Sequence, residues 1–136
     1  MEATNKDITD SQVKKRKKIL IVDDSETIRS LIISLLEKDY DVEAKNDGHE
    51  ALVYLSKGEN PDLILTDMEM PIMDGRMFAR RVHSDPRRDK IPIIFITSVN
   101  SAMLINSFKA IGIIDFIIKP FNNDELIARV NKILQV

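Results

Sequence analysis

Short apolar runs alternate with amphipathic stretches along most of the chain. Most of these runs are rich in isoleucine and lack the polar alternation of a half-exposed strand. Runs of this kind are typical of strands that are buried on both faces of a parallel sheet. The pattern predicts five strands, at residues 19–22, 42–45, 63–67, 93–97 and 114–118.

Apolar residues recur at helical spacing between and after these strands, so the sequence predicts a helix after each strand. The first helix follows Ser25, a residue type that caps helix N-termini. In the third helix we expect Met77, Phe78 and Val82 to point inward. The predicted helices are residues 25–38, a segment around 51–55 that Gly58 ends, 75–84, 100–110, and a last helix that starts after Asn122 or Asn123.

The alternation of strands and helices predicts an α/β fold. Short connections favour a three-layer sandwich, in which helices cover both faces of a five-stranded parallel sheet. The first residues differ from the rest, because they are polar and end in the basic run Lys14–Lys18. Such a run can contact nucleic acid or an anionic membrane, but a solvated tail is the commoner case. We therefore expect a disordered basic leader over residues 1–17 and one domain over residues 18–136.

Composition excludes several classes of function. The 136 residues carry a formal net charge of −2, so no basic excess points to nucleic acid. The absence of cysteine excludes disulfides and thiolate metal sites. No apolar stretch approaches the roughly 18 residues of a membrane span, and the N-terminus lacks the apolar core of a secretory signal. We expect a cytoplasmic protein that binds neither nucleic acid nor membrane.

Residues of types that can bind or react with phosphate lie at the carboxyl ends of four of the predicted strands. Asp23 and Asp24 follow the first strand, and Asp67 ends the third. Thr97 ends the fourth, and Lys119 follows the fifth. A single Asp at a strand end is usually a turn former or a helix cap. Because the carboxyl ends of parallel strands line one edge of the sheet, where ligands bind, we expect all of these side chains to converge.

The chemistry of this set favours phosphoryl transfer. Two carboxylates 4 Å apart repel by about 4 kcal/mol at an effective dielectric near 20, so three of them need a cation. Oxygen ligands with an incomplete protein shell are typical of Mg²⁺. An ammonium and a hydroxyl beside a carboxylate nucleophile are the groups that stabilise a phosphoryl group in transfer.

These motifs resemble the response-regulator receiver domain of two-component systems, and in particular its stand-alone chemotaxis members. The resemblance covers about residues 18–136. It implies the flavodoxin-like strand order 2-1-3-4-5, which chemotaxis members of the family have. The residues that carry it are Asp23-Asp24, Asp67, the segment 70–75 (Met-Pro-Ile-Met-Asp-Gly), Thr97-Ser98, and the segment 115–120 (Asp-Phe-Ile-Ile-Lys-Pro).

The resemblance also implies a role for each site residue. Asp67 is the expected phospho-acceptor, and Thr97 and Lys119 are expected to contact phosphoryl oxygens. The Lys119–Pro120 peptide bond is expected to be cis, as is common in the family. The implied Mg²⁺ ligands are the side chains of Asp23, Asp24 and Asp67 and the backbone carbonyl of Glu69. Asp23 and Asp24 are expected to bind either both directly or one of the two through water.

Thr97 and Phe116 are the switch residues that the resemblance implies. Phe116 stands where many relatives have tyrosine, so a rotamer change is expected there but no recognition through a hydroxyl. The expected phosphodonor is a histidine kinase or a phosphotransfer protein. Residues 100–118 are the expected face for a downstream protein or a second copy of the chain. Such a protein is not an enzyme acting on a separate substrate, but it assists its own phosphorylation and dephosphorylation.

Two alternative functions explain the same residues less well. A small Mg²⁺-dependent phosphohydrolase with an aspartyl-phosphate intermediate, of the haloacid-dehalogenase kind, uses similar groups. Such enzymes usually carry Asp-x-Asp on the first strand, whereas Asp23 and Asp24 are adjacent. An FMN-binding flavodoxin would need a phosphate loop rich in Ser, Thr and Gly after the first strand, which this sequence lacks.

Overall fold

A computed structural model describes residues 16–98 and 115–135. The strands there are β1 (Lys18–Val22), β2 (Asp41–Lys45), β3 (Leu63–Asp67), β4 (Ile93–Thr97) and β5 (Asp115–Ile118). The helices within these ranges are α1 (Glu26–Leu36), α2 (Gly48–Ser56), α3 (Gly75–His83) and α4 (Asn123–Leu134). The helix predicted at 100–110 lies outside the described residues.

The strands form one parallel sheet in the order β2-β1-β3-β4-β5. The predicted fold class and strand order are therefore confirmed, with β5 at an edge. Every residue of β3 and β4 is buried, because each of these strands has a neighbouring strand on both sides and helices over both faces. This burial explains why the apolar runs do not alternate with polar residues.

Two apolar clusters lie on opposite faces of the sheet. One contains Ile19 and Ile21 with side chains from α1 and α4, and the other contains Leu20 and Val22 with side chains from α2 and α3. Successive residues of a strand point to opposite faces, so β1 contributes to both clusters. The three-layer arrangement follows from this packing.

Side-chain caps fix where the helices begin, just beyond the carboxyl ends of the strands. Ser25 Oγ accepts a hydrogen bond from Ile28 N at 3.2 Å, as predicted for an N-cap. Asn122 caps α4 in the same way, through Glu125 N at 3.1 Å, which settles the choice between Asn122 and Asn123. Each cap satisfies a backbone N–H that has no partner within its helix.

The prediction that Met77 points inward is wrong. Its side chain is 44% exposed, whereas its neighbour Phe78 is fully buried. Consecutive helical residues are about 100° apart, so the helix buries only one of the two. Phe78 and Val82, four residues apart, share the inner face instead.

The predicted leader is described only at its last two residues. Arg16 donates hydrogen bonds from Nη2 to the carbonyls of Glu37 and Tyr40, at 2.5 and 3.1 Å. The division of the chain at residue 18 stays a prediction. Over residues 16–98 and 115–135, none of the helices combines the length and the apolar character needed to cross a bilayer.

Candidate functional site

Three carboxylates meet at the carboxyl edge of the sheet. The β1–β3 register pairs Val22 with Thr66, so Asp23 and Asp67 are the next residues along neighbouring strands. One carboxylate oxygen from each of Asp23, Asp24 and Asp67 lies within 4.8 Å of the others. The three acids therefore lie together, as their places in the sheet predict.

Asp23 is the most enclosed of the three acids, at 1% exposure. Its Oδ1 accepts a hydrogen bond from Ser25 N at 2.8 Å, whereas its Oδ2 is buried and has no hydrogen-bond partner among the described residues. Burial raises the pKa of Asp23, and the Ser25 N–H and the Lys119 charge oppose that rise. A buried carboxylate oxygen without a partner is costly unless a cation contacts it.

Asp67 is buried beside a cation and still holds a proton more tightly than an ordinary aspartate. Its Oδ1 accepts hydrogen bonds from Lys119 Nζ at 2.9 Å and from Glu69 N at 3.3 Å. Burial raises the pKa of Asp67 from 3.8 to about 6, and the negative charge of Asp23 adds to the rise. The hydrogen bond from Lys119 lowers the pKa, but by less than burial raises it.

Lys119 reaches the site from the end of the edge strand. Its backbone N donates to the Thr97 carbonyl at 2.8 Å, and the peptide bond to Pro120 is cis, as expected. Burial would lower the pKa of Lys119, but its hydrogen bond to Asp67 and the nearby acids raise it overall. Lys119 thus places a permanent positive charge against Asp67.

Thr97 forms a contact that the sequence did not reveal. Its side chain is 1% exposed, and its Oγ1 donates a hydrogen bond to Glu69 Oε2 at 2.9 Å. Ser98 Oγ donates to the same oxygen at a longer 3.4 Å. The resemblance implies a metal contact through the backbone carbonyl of Glu69 and a place for Glu69 beside the path of attacking water, but no hydrogen bond to Thr97. An acid two residues after Asp67, at the same sheet edge as a threonine, was the available signal.

Gly75 permits α3 to begin directly against the end of β3. Its backbone N donates to the Met68 carbonyl at 2.9 Å. A Cβ atom at position 75 would collide with the Asp67 carbonyl oxygen and lie 2.9 Å from Met68 Cα. The glycine in the motif is therefore needed for close packing behind the acceptor.

Phe116 lies partly buried against the cluster that contains Leu20. Its carbonyl accepts a hydrogen bond from Arg129 Nη1 at 2.9 Å, and the same nitrogen lies 2.6 Å from Asp115 Oδ1. These contacts tie β5 to α4. The role of Phe116 as a switch residue stays a prediction.

The sequence and the fold match one family of known proteins. A family model for the response regulator receiver domain matches residues 19–131. The chain is 33% identical over 120 residues to the chemotaxis protein CheY homolog of Campylobacter jejuni. This alignment covers 86% of this chain and 92% of that protein. The solved chemotaxis response regulator CheY4 of Vibrio cholerae superposes with a TM-score of 0.81 at 33% identity, covering 88% of this chain and 100% of that one.

Larger signalling proteins contain a similar segment. The chain is 38% identical over 116 residues to the CAI-1 autoinducer sensor kinase/phosphatase CqsS of Vibrio cholerae. That match covers 84% of this chain, but the chain spans only 17% of the length of CqsS. This chain belongs to the response regulator receiver domain family.

Membership in the receiver domain family establishes a general function in signalling. The chain is a receiver domain of two-component signalling, a family of signalling phospho-acceptors whose members interact with histidine kinases or phosphotransfer proteins. The alternative reading as a small phosphohydrolase is not favoured by these matches.

Receiver domains generally bind Mg²⁺ at an acidic pocket, and the residues here fit such an ion. Three oxygen donors lie within 4.8 Å of one another, and the buried Oδ2 of Asp23 has no partner in the described chain. Carboxylate oxygens are the ligands that this hard cation prefers.

Proposed function

We propose that Asp67 accepts a phosphoryl group from a phosphohistidine of a histidine kinase or a phosphotransfer protein. The observation that carries this proposal is the 2.9 Å contact between Lys119 Nζ and Asp67 Oδ1 inside a cluster of three carboxylates. A buried carboxylate beside a fixed cation is oriented for attack and supplied with charge stabilisation. The raised pKa of Asp67, about 6, still leaves most of the carboxylate ionised at pH 7.

The transfer exchanges one phosphorus bond for another. An Asp67 carboxylate oxygen forms a bond to phosphorus as the bond between phosphorus and the donor's imidazole nitrogen breaks, and that nitrogen keeps the electron pair. Lys119 would bind a phosphoryl oxygen and offset the charge that develops on it. Thr97 would donate its hydroxyl to another phosphoryl oxygen. Attack of water on phosphorus later restores the carboxylate and releases inorganic phosphate.

A divalent cation would complete the site. Asp23, Asp24 and Asp67, with the Glu69 carbonyl, would hold Mg²⁺, which supplies positive charge to the transferring phosphoryl group. The proposal is supported by the buried, unpartnered Oδ2 of Asp23. Asp23 then acts as an anchored ligand, because its other oxygen is fixed by the Ser25 N–H.

The output would pass through the face formed by residues 100–118. Only its end is described, where β5 is an edge strand and Ile118 is 37% exposed. An edge strand offers unpaired backbone groups to another chain. A downstream protein or a second copy would bind there in response to movement of Thr97 and Phe116.

Phosphorylation by acetyl phosphate with Mg²⁺ tests the assignment. We expect the intact chain to gain one acid-stable, base-labile phosphoryl group, detected by mass spectrometry, and Asp67→Asn to gain none. Asp89→Asn, which removes an exposed aspartate elsewhere, is the matched control and should behave as the unaltered chain does. Equal phosphorylation of Asp67→Asn would refute the proposal. Steady turnover of a small phosphate ester such as p-nitrophenyl phosphate would favour the phosphohydrolase instead.

A further inference from the structure

We propose that the Glu69 carboxylate holds the Thr97 hydroxyl in the unphosphorylated protein and must release it before Thr97 can bind a phosphoryl group. This inference rests on the proposed role of Thr97 as a phosphoryl contact. It assigns to the Glu69 side chain a function separate from the metal contact that its backbone carbonyl would make.

The argument begins with the single proton of the Thr97 hydroxyl. That proton is donated to Glu69 Oε2 across 2.9 Å, whereas a second acceptor within the described residues, the Ser98 carbonyl, is 3.4 Å away. A hydroxyl can donate one hydrogen bond at a time. A phosphoryl oxygen on Asp67 can therefore receive this proton only if Glu69 gives it up.

The surroundings make this contact persistent. Thr97 is 1% exposed, and its β-branched side chain has few rotamers, so the hydroxyl cannot move freely. Hydrogen bonds to a charged acceptor are stronger than those between neutral groups. Ser98 Oγ donates to the same carboxylate oxygen at 3.4 Å, which further fixes its position.

Glu69 itself is able to leave. Glu69 is exposed at the sheet edge, so its carboxylate can rotate toward the solvent without the cost of burying a charge. An arriving phosphoryl group is also anionic and would repel it. The Glu69 carboxylate thus presents to Thr97 the same kind of acceptor, an anionic oxygen, that a phosphoryl group would present.

The consequence is a competition between Glu69 and the phosphoryl group for one donor. Removing the carboxylate should free Thr97 and raise the affinity for a phosphoryl mimic. Simple charge repulsion would also raise that affinity, but without involving Thr97. A double-mutant cycle of Glu69→Ala and Thr97→Val separates release of Thr97 from charge repulsion. Thr97→Val keeps nearly the same side-chain shape but removes the hydroxyl.

The first measurement uses the metal-free protein without any mimic. NMR three-bond couplings report the χ1 rotamer of Thr97. We expect one dominant rotamer in the unaltered chain and in the control Glu37→Ala, which removes an exposed carboxylate at the end of α1. Glu69→Ala should populate a second rotamer. An unchanged single rotamer in Glu69→Ala would overturn the proposal.

The second measurement is the affinity for beryllofluoride with Mg²⁺, by isothermal titration calorimetry. Glu69→Ala should bind about tenfold more tightly, the change expected when one charged hydrogen bond no longer competes. In the Thr97→Val background the same substitution should change the affinity less than about twofold. A full gain in that background would show repulsion alone and overturn the proposal. Failure of the unaltered chain to bind beryllofluoride would count against the proposed function, while the rotamer measurement still decides the role of Glu69.

Discussion

Gly75 lies so close to Asp67 that a Cβ atom on it would overlap the Asp67 carbonyl oxygen. The same atom would be 2.9 Å from Met68 Cα and 3.0 Å from the ring of Phe95. Two of these neighbours are backbone atoms, one of Asp67 itself and one of the residue that follows it. They cannot shift without moving Asp67.

Gly75→Ala is therefore expected to lower the free energy of unfolding by about 1–3 kcal/mol, the range for overpacking a core. It should also slow phosphorylation by acetyl phosphate, because the Asp67 backbone moves. Gly48→Ala is the matched control, since its Cβ would meet the flexible end of Met73 instead. Urea denaturation and phosphorylation rates measure both effects, and equal behaviour of the two variants would contradict the prediction.

The raised pKa of Asp67 predicts a pH dependence of stability in the metal-free protein. Between about pH 4 and pH 6 the folded protein binds a proton at Asp67 that the unfolded chain has lost. Stability from this group is therefore full below pH 4 and falls as the pH rises through 6, by about 3 kcal/mol in total. Asp67→Asn cannot ionise at this position, so it should be the more stable protein at pH 7.

Urea denaturation in EDTA at several values between pH 4 and pH 7.5 checks this prediction. The informative quantity is the difference in unfolding free energy between Asp67→Asn and the unaltered chain, because carboxylates distant from this site contribute equally to both. Asp23 interacts with Asp67, so its own change on losing that charge is part of the measured difference. We expect that difference to grow with pH and to level off above 6. A difference that is constant with pH would show that the pKa of Asp67 is ordinary.

Loss of a metal ligand is expected to weaken Mg²⁺ binding without unfolding the chain. Asp24 is exposed, so Asp24→Asn leaves no buried group without its partner. It removes one of three anionic oxygens, and the affinity for this hard cation should fall about tenfold or more. Asp39→Asn, which replaces an exposed aspartate in the turn after α1, is the control. Calorimetric titration with Mg²⁺ that gives one affinity for all three proteins would remove Asp24 from the ligand set.

Ile72 has a backbone conformation that β-branched residues rarely adopt. Its φ is +71°, and its side chain is fully exposed in the loop between β3 and α3. The left-handed region costs an ordinary L-residue about 1–2 kcal/mol, but Asn tolerates it. Ile72→Asn should therefore stabilise the protein by about 1 kcal/mol in urea denaturation. Ile72→Val keeps the β-branch and should change little, so an equal gain from Val would show that strain is not the cause.

The sequence alone determined the fold and the convergence of the acids. Isoleucine-rich runs without polar alternation specify strands buried on both faces, and such strands pair in parallel when helices connect them. Once the sheet is parallel, residues that follow different strands must share one edge. Asp23, Asp67 and Lys119 could be placed together on that ground, and local caps such as Ser25 marked where helices begin.

Only the tertiary structure decided how these groups act on one another. The pKa of Asp67 depends on its depth and on the balance between burial and Lys119, neither of which is encoded in local spacing. The contact between Thr97 and Glu69 joins residues 28 positions apart, and the exposure of Met77 depends on which side of α3 the sheet covers. Local patterns record which side chains prefer water and which backbone shapes they adopt. Distances between side chains on different strands, and the dielectric around them, exist only when the packed molecule brings those strands together.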